Sequence, residues 1–370
     1  MYAAAGITIT NQSTITGGNG GKGGAGGING YGGGGGGGGN GAAFNGLGTL
    51  INQGTSSGGY GGNGGYYGGG GGGGGNGVVG LDLTITNSGT ISGGAPGNGI
   101  NNGTGGTAGD AILFLQGSNS LHLLTGSVVT GNIEVAGGFS TATIAAQSGG
   151  LTLSAGIVVD ASSSYAYFDT SSYGLTVSGT ISGSGSVKVS GSNALILSAS
   201  NSFTGGTNIN SGTLQSDGSI GAVQVSGTLS GSGTAGAITL NSSGSIAPGD
   251  NGGTLNGLDL IWNGGGAFNF HLGSSNSTSA SDLLSLTGTL NKGNIGKFVF
   301  HFTDGYGAPV LGTTYTLITF ASQNGFSASD FSYDYSGANP SLVGTFNLTP
   351  TALTFTPSAL PVGLQSFFVD

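Results

Sequence analysis

Residues 32–39 are eight consecutive glycines, set inside the tract GGNGGKGGAGGINGYGGGGGGGGN (17–40). No other feature restricts so strongly what this chain can fold into. Glycine brings no side chain to a core and loses the most backbone freedom on ordering. Such a tract is either a flexible linker or a structure in which backbones pack so closely that side chains would be in the way. Its first half repeats every three residues, as GGN, GGK, GGA and GGI (17–28). Three residues per turn is the period of an extended, polyproline-type helix, which makes no hydrogen bonds to itself. Its N–H and C=O groups reach neighbouring chains, and Cα–H···O contacts add to them. The tracts beginning near Gly17, Gly58 and Gly93 therefore predict a small bundle of polyglycine-II helices, with Asn19, Lys22, Ala25 and Ile28 on one side of the first. A phosphate-cradling loop would need a helix after the glycines and a Lys-Ser or Lys-Thr pair. Lys22 is followed by Gly23 and by no helical pattern.

The glycine tracts are insertions into a repeat. ITITNQSTITGG (7–18), LGTLINQGTSSGG (47–59) and LTITNSGTISGG (83–94) align on Asn11, Asn52 and Asn87. Each is a short β-branched strand, a polar corner, a second strand and then Gly-Gly. The chain returns each time through an apolar patch: AAF (42–44), VV (78–79) and AILFL (111–115). A constant scaffold with variable insertions at one corner is the pattern of a solenoid. From 116 to 256 short alternating strands are broken by Gly, Ser and Asn, as in LTVSGTISGSGSVKVSG (175–191). Coils of about 20 residues stacked about 4.8 Å apart fit that spacing.

Composition changes after Trp262. Of the 17 Phe, all but five lie beyond it, and FNFHL (268–272) and FVFHF (298–302) alternate aromatic and polar residues. This predicts four segments: glycine-rich coils with insertions (1–115), plain coils (116–256), an aromatic β cap (257–357) and an apolar tail (358–370). The expected fold is all-β, a right-handed parallel β-solenoid.

Charge narrows the partners. Only 5% of residues are charged, against roughly 25% in ordinary globular proteins. All four basic residues are Lys, and the net charge is −9. Without Arg, a chain is poorly equipped to hold phosphates, so nucleic acid is not an expected partner. Cysteine is absent, and no run of about 20 apolar residues predicts a membrane-spanning helix. Residues 1–10 lack the basic start and apolar run of a signal peptide. Few titrating pairs are evident, which predicts stability that changes little between roughly pH 4 and 9.

The segment GSGSVKVSGSNALILSASNSFTGGTNINSGTLQ (183–215) resembles the autotransporter-associated β-strand repeat. Asn201, Phe203, Thr204, Gly205, Gly206, Thr207, Gly212, Thr213 and Leu214 follow that pattern in order, and residues 227–255 resemble the stretch that follows it. The resemblance implies a right-handed parallel β-helix, exported to the bacterial surface and adhesive or structural in role.

Chemistry-bearing motifs are sparse. GGTAGDAIL (105–113) approaches a calcium-binding nonapeptide, with Ala108 at a glycine position, but occurs once where successive turns are needed; it reads better as a turn Asp, Asp110, before a buried strand. His271 and His301 occupy matching places in the two Phe-alternating strands and would be adjacent if those strands pair in step. No third metal ligand accompanies them. Asp330 and Asp334 in SDFSYDY (329–335) would share a strand face about 13 Å apart, whereas glycoside hydrolysis uses carboxylates about 5–10 Å apart. Tyr333 and Tyr335 read as packing residues, with sugar stacking as the alternative. No enzyme activity, metal or cofactor is expected. The expected role is a structural subunit of an extracellular filament or matrix on the bacterial surface, a homo-oligomer joined head to tail. A monomeric adhesin that contacts glycans or surface proteins is the second reading, and a polysaccharide-active enzyme the third. The tail supplies the expected assembly residues Leu360, Val362, Leu364, Phe367, Phe368 and Val369, acting as a strand added to a neighbouring copy.

Overall fold

The computed structural model describes residues 1–4, 6–26, 30–249, 252–338 and 342–358. The six tail residues just named lie outside them. Two compact units divide the chain, Met1–Gly221 and Ala222–Asp370. Among the described residues the regular elements are short strands, with a single 3-10 turn at Ala328–Asp330. The fold is a right-handed parallel β-solenoid, the expected class.

In the first unit each coil contributes up to three strands. The first coil uses Tyr2–Ala3, Ile7–Asn11 and Thr14–Thr16; the second uses Ala42–Phe44, Gly48–Asn52 and Thr55–Ser57; the third uses Val78–Gly80, Leu83–Asn87 and Thr90–Ser92. Equivalent strands pair in parallel without slippage: Ile9 against Leu50 and Leu50 against Ile85. Alternation along each strand then sends every second residue inward. Leu50, Leu83, Ile85 and Ile91 are fully buried, while Thr49 and Thr84 face outward. One inward column is polar. Asn11 donates through Nδ2 to Asn52 Oδ1 at 2.7 Å, and Asn52 through Nδ2 to Asn87 Oδ1 at 2.8 Å. Each amide also bonds backbone at its corner, as Asn11 Oδ1 accepts from the Ser13 N–H, so the buried ladder is satisfied.

In the second unit three parallel sheets continue the same architecture, one of them running Thr228–Gly231, Ser245–Pro248, Ala267–Leu272, Phe298–Asp304 and Phe331–Tyr335. The core changes from aliphatic to aromatic. Trp262 is fully buried, meets Phe268, Phe298 and Phe300 edge-on with centroids 4.7, 5.3 and 5.4 Å away, and donates through Nε1 to Gly266 O. The aromatic segment differs from the expected separate cap. Its strands stay in parallel register through Tyr335, and antiparallel pairing enters only where Ala352–Ser358 joins Tyr315–Thr319 and Val343–Leu348. The boundaries expected near 115 and 256 fall inside the two units, because parallel pairs bridge them: Ile112–Phe114 with Ile133–Val135, and Gly253–Gly257 with Asp282–Leu286.

Candidate functional site

The three glycine excursions of the first unit leave one corner of three successive coils. Each runs out and back as two extended segments: 17–26 and 32–41, 58–65 and 69–77, 93–99 and 103–109. The hydrogen bonds give their geometry. Gly17 donates to Ser57, which ends the next coil's last strand, and Gly20 and Gly23 to Tyr60 and Asn63 of the next excursion; Gly58, Gly61 and Gly64 donate in turn to Ser92, Ala95 and Asn98. Outbound and inbound segments of one excursion bond antiparallel, Gly33 to Gly24, Gly36 to Gly21 and Gly39 to Gly18. Every third N–H thus points the same way, and each segment bonds several neighbours. This is a bundle of six polyglycine-II helices in three layers, as the triplet period predicts.

Glycine is required wherever layers touch. A Cβ on Gly62 would overlap the carbonyl of Gly21, and one on Gly72 that of Gly36. The third residue of each triplet faces outward and can carry a side chain. Asparagine there has a specific job: Asn19, Asn40, Asn63 and Asn76 accept through Oδ1 from the backbone N–H of Tyr60, Asn76, Asn98 and Asp110 in the following layer. The amide completes the one backbone donor that a side-facing residue would leave to solvent. The recurrence of Asn in GGN was visible in the sequence; its reach into the next layer was not.

The bundle also displays tyrosines. Tyr31 is 92% exposed and Tyr60, Tyr66 and Tyr67 are more than half exposed. Lys22 Nζ lies 5.0 Å from the Tyr66 ring centroid. Tyr67 carries a φ of 71° at the excursion's turn, a left-handed conformation that bulky residues rarely adopt.

Asp110, the candidate calcium residue, closes the third excursion. Its backbone is held by Asn76 on one side and by Gly77 on the other. Its side chain faces Glu134, on the strand Ile133–Val135, with Asp160 close to the same carboxyl. Partial burial, then these two neighbours, push the Glu134 carboxyl up to about 8. No sequence signal marks this cluster, because its members come from three coils. It changes the expected indifference to pH. A carboxyl whose folded pKa is raised favours the folded state fully below its unfolded value near 4.5 and loses that contribution as pH rises through about 8. Urea midpoints are therefore expected to fall from pH 5 to pH 9, and Glu134→Gln is expected to flatten that dependence; an equal slope in both proteins would refute the assignment.

The remaining candidates belong to the second unit. The strands bearing His271 and His301 pair, but His271 stands opposite Thr303 and His301 opposite Asn269. The two-residue offset separates the imidazoles, correcting the expectation that they adjoin. His271 Nδ1 instead lies 2.8 Å from the buried carboxylate of Asp282, and His301 Nδ1 lies 2.8 Å from Asp334. Asp330 and Asp334 do not share a strand: Asp330 ends the 3-10 turn and Asp334 lies on Phe331–Tyr335. Lys292 at 2.7 Å, with the Ser327 N–H, holds the Asp330 carboxyl below the usual carboxylate range. Tyr333 packs on Phe355 with centroids 4.7 Å apart and accepts from the Gly344 N–H. Tyr335 bonds Asp304. Nearby, a cleft of about 600 Å³ is lined by Phe326, Leu348, Pro350 and small polar residues, none of which titrates.

A family model described as the passenger-associated-transport-repeat matches residues 188–215. No match was found among curated proteins. The matched residues span Lys188 to Gln215 and contribute strands to two faces of the solenoid, Ser186–Gly191 and Thr207–Ile209 to one and Ala194–Leu197 and Thr213–Ser216 to the other. The fold is a β-solenoid, and its segment 188–215 is similar to the passenger-associated-transport-repeat, the repeat of autotransporter passengers.

Proposed function

We propose that this chain is an autotransporter-type passenger that serves as a structural subunit of an extracellular fibre or matrix on the bacterial surface. The observation that supports the reading is one outward column of five successive coils, a ladder of small uncharged polar residues. Thr8, Thr49, Thr84, Ser120 and Thr143 follow one another in register along one sheet. A low-charge, hydrogen-bonding lattice of this kind offers little electrostatic repulsion between copies. The assembly contact proposed for the tail, through Leu360, Val362, Leu364, Phe367, Phe368 and Val369, belongs to the same reading. Negative-stain microscopy of the full chain is the test: fibres or sheets are expected, and uniformly single particles at high concentration would overturn the proposal.

One observation favours the adhesive reading. Tyr31, Tyr60, Tyr66 and Tyr67 present exposed rings on the glycine bundle, and aromatic faces stack on sugars. A glycan array bound by the full chain and lost on changing Tyr31 and Tyr67 to Ser would establish it in place of the structural one.

A further inference from the structure

The glycine bundle holds more glycine than its own packing requires. Two positions of each triplet face neighbouring helices, and the third faces a flank. On the flank of the outbound helices that third position carries side chains, among them Asn19, Lys22, Tyr60, Asn63, Ala95 and Asn98. On the inbound flank of the first two layers it is Gly34, Gly37, Gly70 and Gly73, which completes two unbroken glycine runs, 32–39 and 68–75. A Cβ on Gly34 or Gly37 would come no closer than 3.7 Å to another atom, and one on Gly73 no closer than 3.5 Å. Gly70 is tighter, at 3.3 Å from the Thr104 carbonyl oxygen. None of the four has a positive φ. Side chains fit at 34, 37 and 73, so the fold itself does not call for glycine there.

Hydrogen bonding is a second observation, independent of size. One triplet further on, Asn40 stands over Asn76 and Asn76 over Asp110, and each Oδ1 accepts the backbone N–H of the residue in the next layer. Gly37 stands over Gly73 and Gly34 over Gly70 in the same relation, because Gly38 and Gly35 donate to Gly73 and Gly70 as Gly41 does to Asn76. Asparagine at 34 or 37 would close the donors of 70 and 73 by a device the chain already uses. Glycine leaves them open. Among the described residues the N–H groups of Gly34, Gly37, Gly70 and Gly73 have no acceptor, and the carbonyls of Gly35, Gly38, Gly71 and Gly74 have no donor. This flank is a wall of bare peptide groups that presents donors and acceptors together. Its second layer lies between two others, so the open groups belong to the side of the bundle and not to either end of the stack.

Donors and acceptors repeating every three residues, with no side chain in front of them, fit another polyglycine helix, whose groups repeat with the same period. We infer that the inbound flank pairs with the inbound flank of a second copy, the two columns of helices antiparallel and interleaved. A face that carries both donors and acceptors can complement a copy of itself. The chain already makes a contact of this kind. Outbound and inbound helices pack antiparallel, Gly33, Gly36 and Gly39 donating to one outbound helix and accepting from Gly65, Gly62 and Gly59 of the next. This lateral pairing deepens the structural reading proposed above and rests on it.

Sedimentation and dipolar spectroscopy of the full chain test it. Gly37→Asn is the decisive variant. Its amide can take the Gly73 N–H, so the urea midpoint is expected to stay level or rise. Self-association is expected to weaken roughly 100-fold, because the contact loses a donor and gains a side chain. Gly34→Asn is expected to do the same. The chain has no cysteine, so Thr107→Cys, on the third layer of the same flank, carries a unique spin label. Coupling between the labels of two copies is expected, and its loss when Gly37→Asn is added. Association that ignores both asparagine variants, or that shows no coupling at residue 107, would overturn this face and leave the structural reading standing. A lowered urea midpoint in Gly37→Asn would show that the fold needs the glycine and would overturn the inference as well. A strict monomer at high concentration would overturn both.

Discussion

Gly62→Val is expected to destabilise the first unit by about 3–6 kcal/mol, an unusual penalty for a residue outside any hydrophobic core. The Cβ alone would overlap the Gly21 carbonyl, and both partners are backbone, which cannot rotate aside. The layers would have to separate. Separation loses the bonds from Gly62 to Gly36 and from Gly23 to Asn63, each worth about 1 kcal/mol net. Gly21→Val is the internal control for folding, since its Cβ meets nothing within the chain. Chemical denaturation of both variants measures the difference. Equal stabilities would show that the layers are not in contact and would remove the basis for the bundle.

Trp262→Ala is expected to cost about 3–5 kcal/mol in the second unit. The ring is fully buried among Phe268, Phe298 and Phe300, and its loss leaves a cavity whose walls are other rings. It also leaves the Gly266 carbonyl without its indole donor. Calorimetry on the full chain should show a lower transition assigned to Ala222–Asp370, with the transition of Met1–Gly221 nearly unmoved. Trp262→Phe should recover part of the loss. A smaller change than for an exposed Thr would mean that the aromatic cluster does not organise this unit.

The coils and the glycine bundle were legible because both rest on periods. Two-residue alternation and the aligned Asn11, Asn52 and Asn87 mark strands and a corner, and the three-residue Gly-Gly-X period marks the helices. What was hidden depends on register between coils. His271 and His301 look equivalent within their strands, yet pairing places them two residues apart. Glu134 gains its neighbours only when Asp110 and Asp160, from the coils on either side, are brought to it. The aromatic segment looked like a separate cap because its side chains change. Its backbone pairing does not change until the final antiparallel strands. The difference between Gly21, which meets nothing, and Gly62, which meets a carbonyl, is likewise invisible in two residues of the same kind.

The glycine bundle has a thermodynamic consequence. Its interior is peptide groups bonded to peptide groups, with almost no hydrocarbon removed from water. Exposing apolar surface raises the heat capacity on unfolding, whereas exposing polar surface lowers it. The two kinds of interior in the first unit therefore respond oppositely to cooling. The coil core draws on a hydrophobic force that fades as temperature falls, while the bundle relies on hydrogen bonding, whose contribution carries no such decline. Joined in one unit, they flatten its stability curve and make it less prone to cold denaturation than a solenoid of the same length built from aliphatic coils alone.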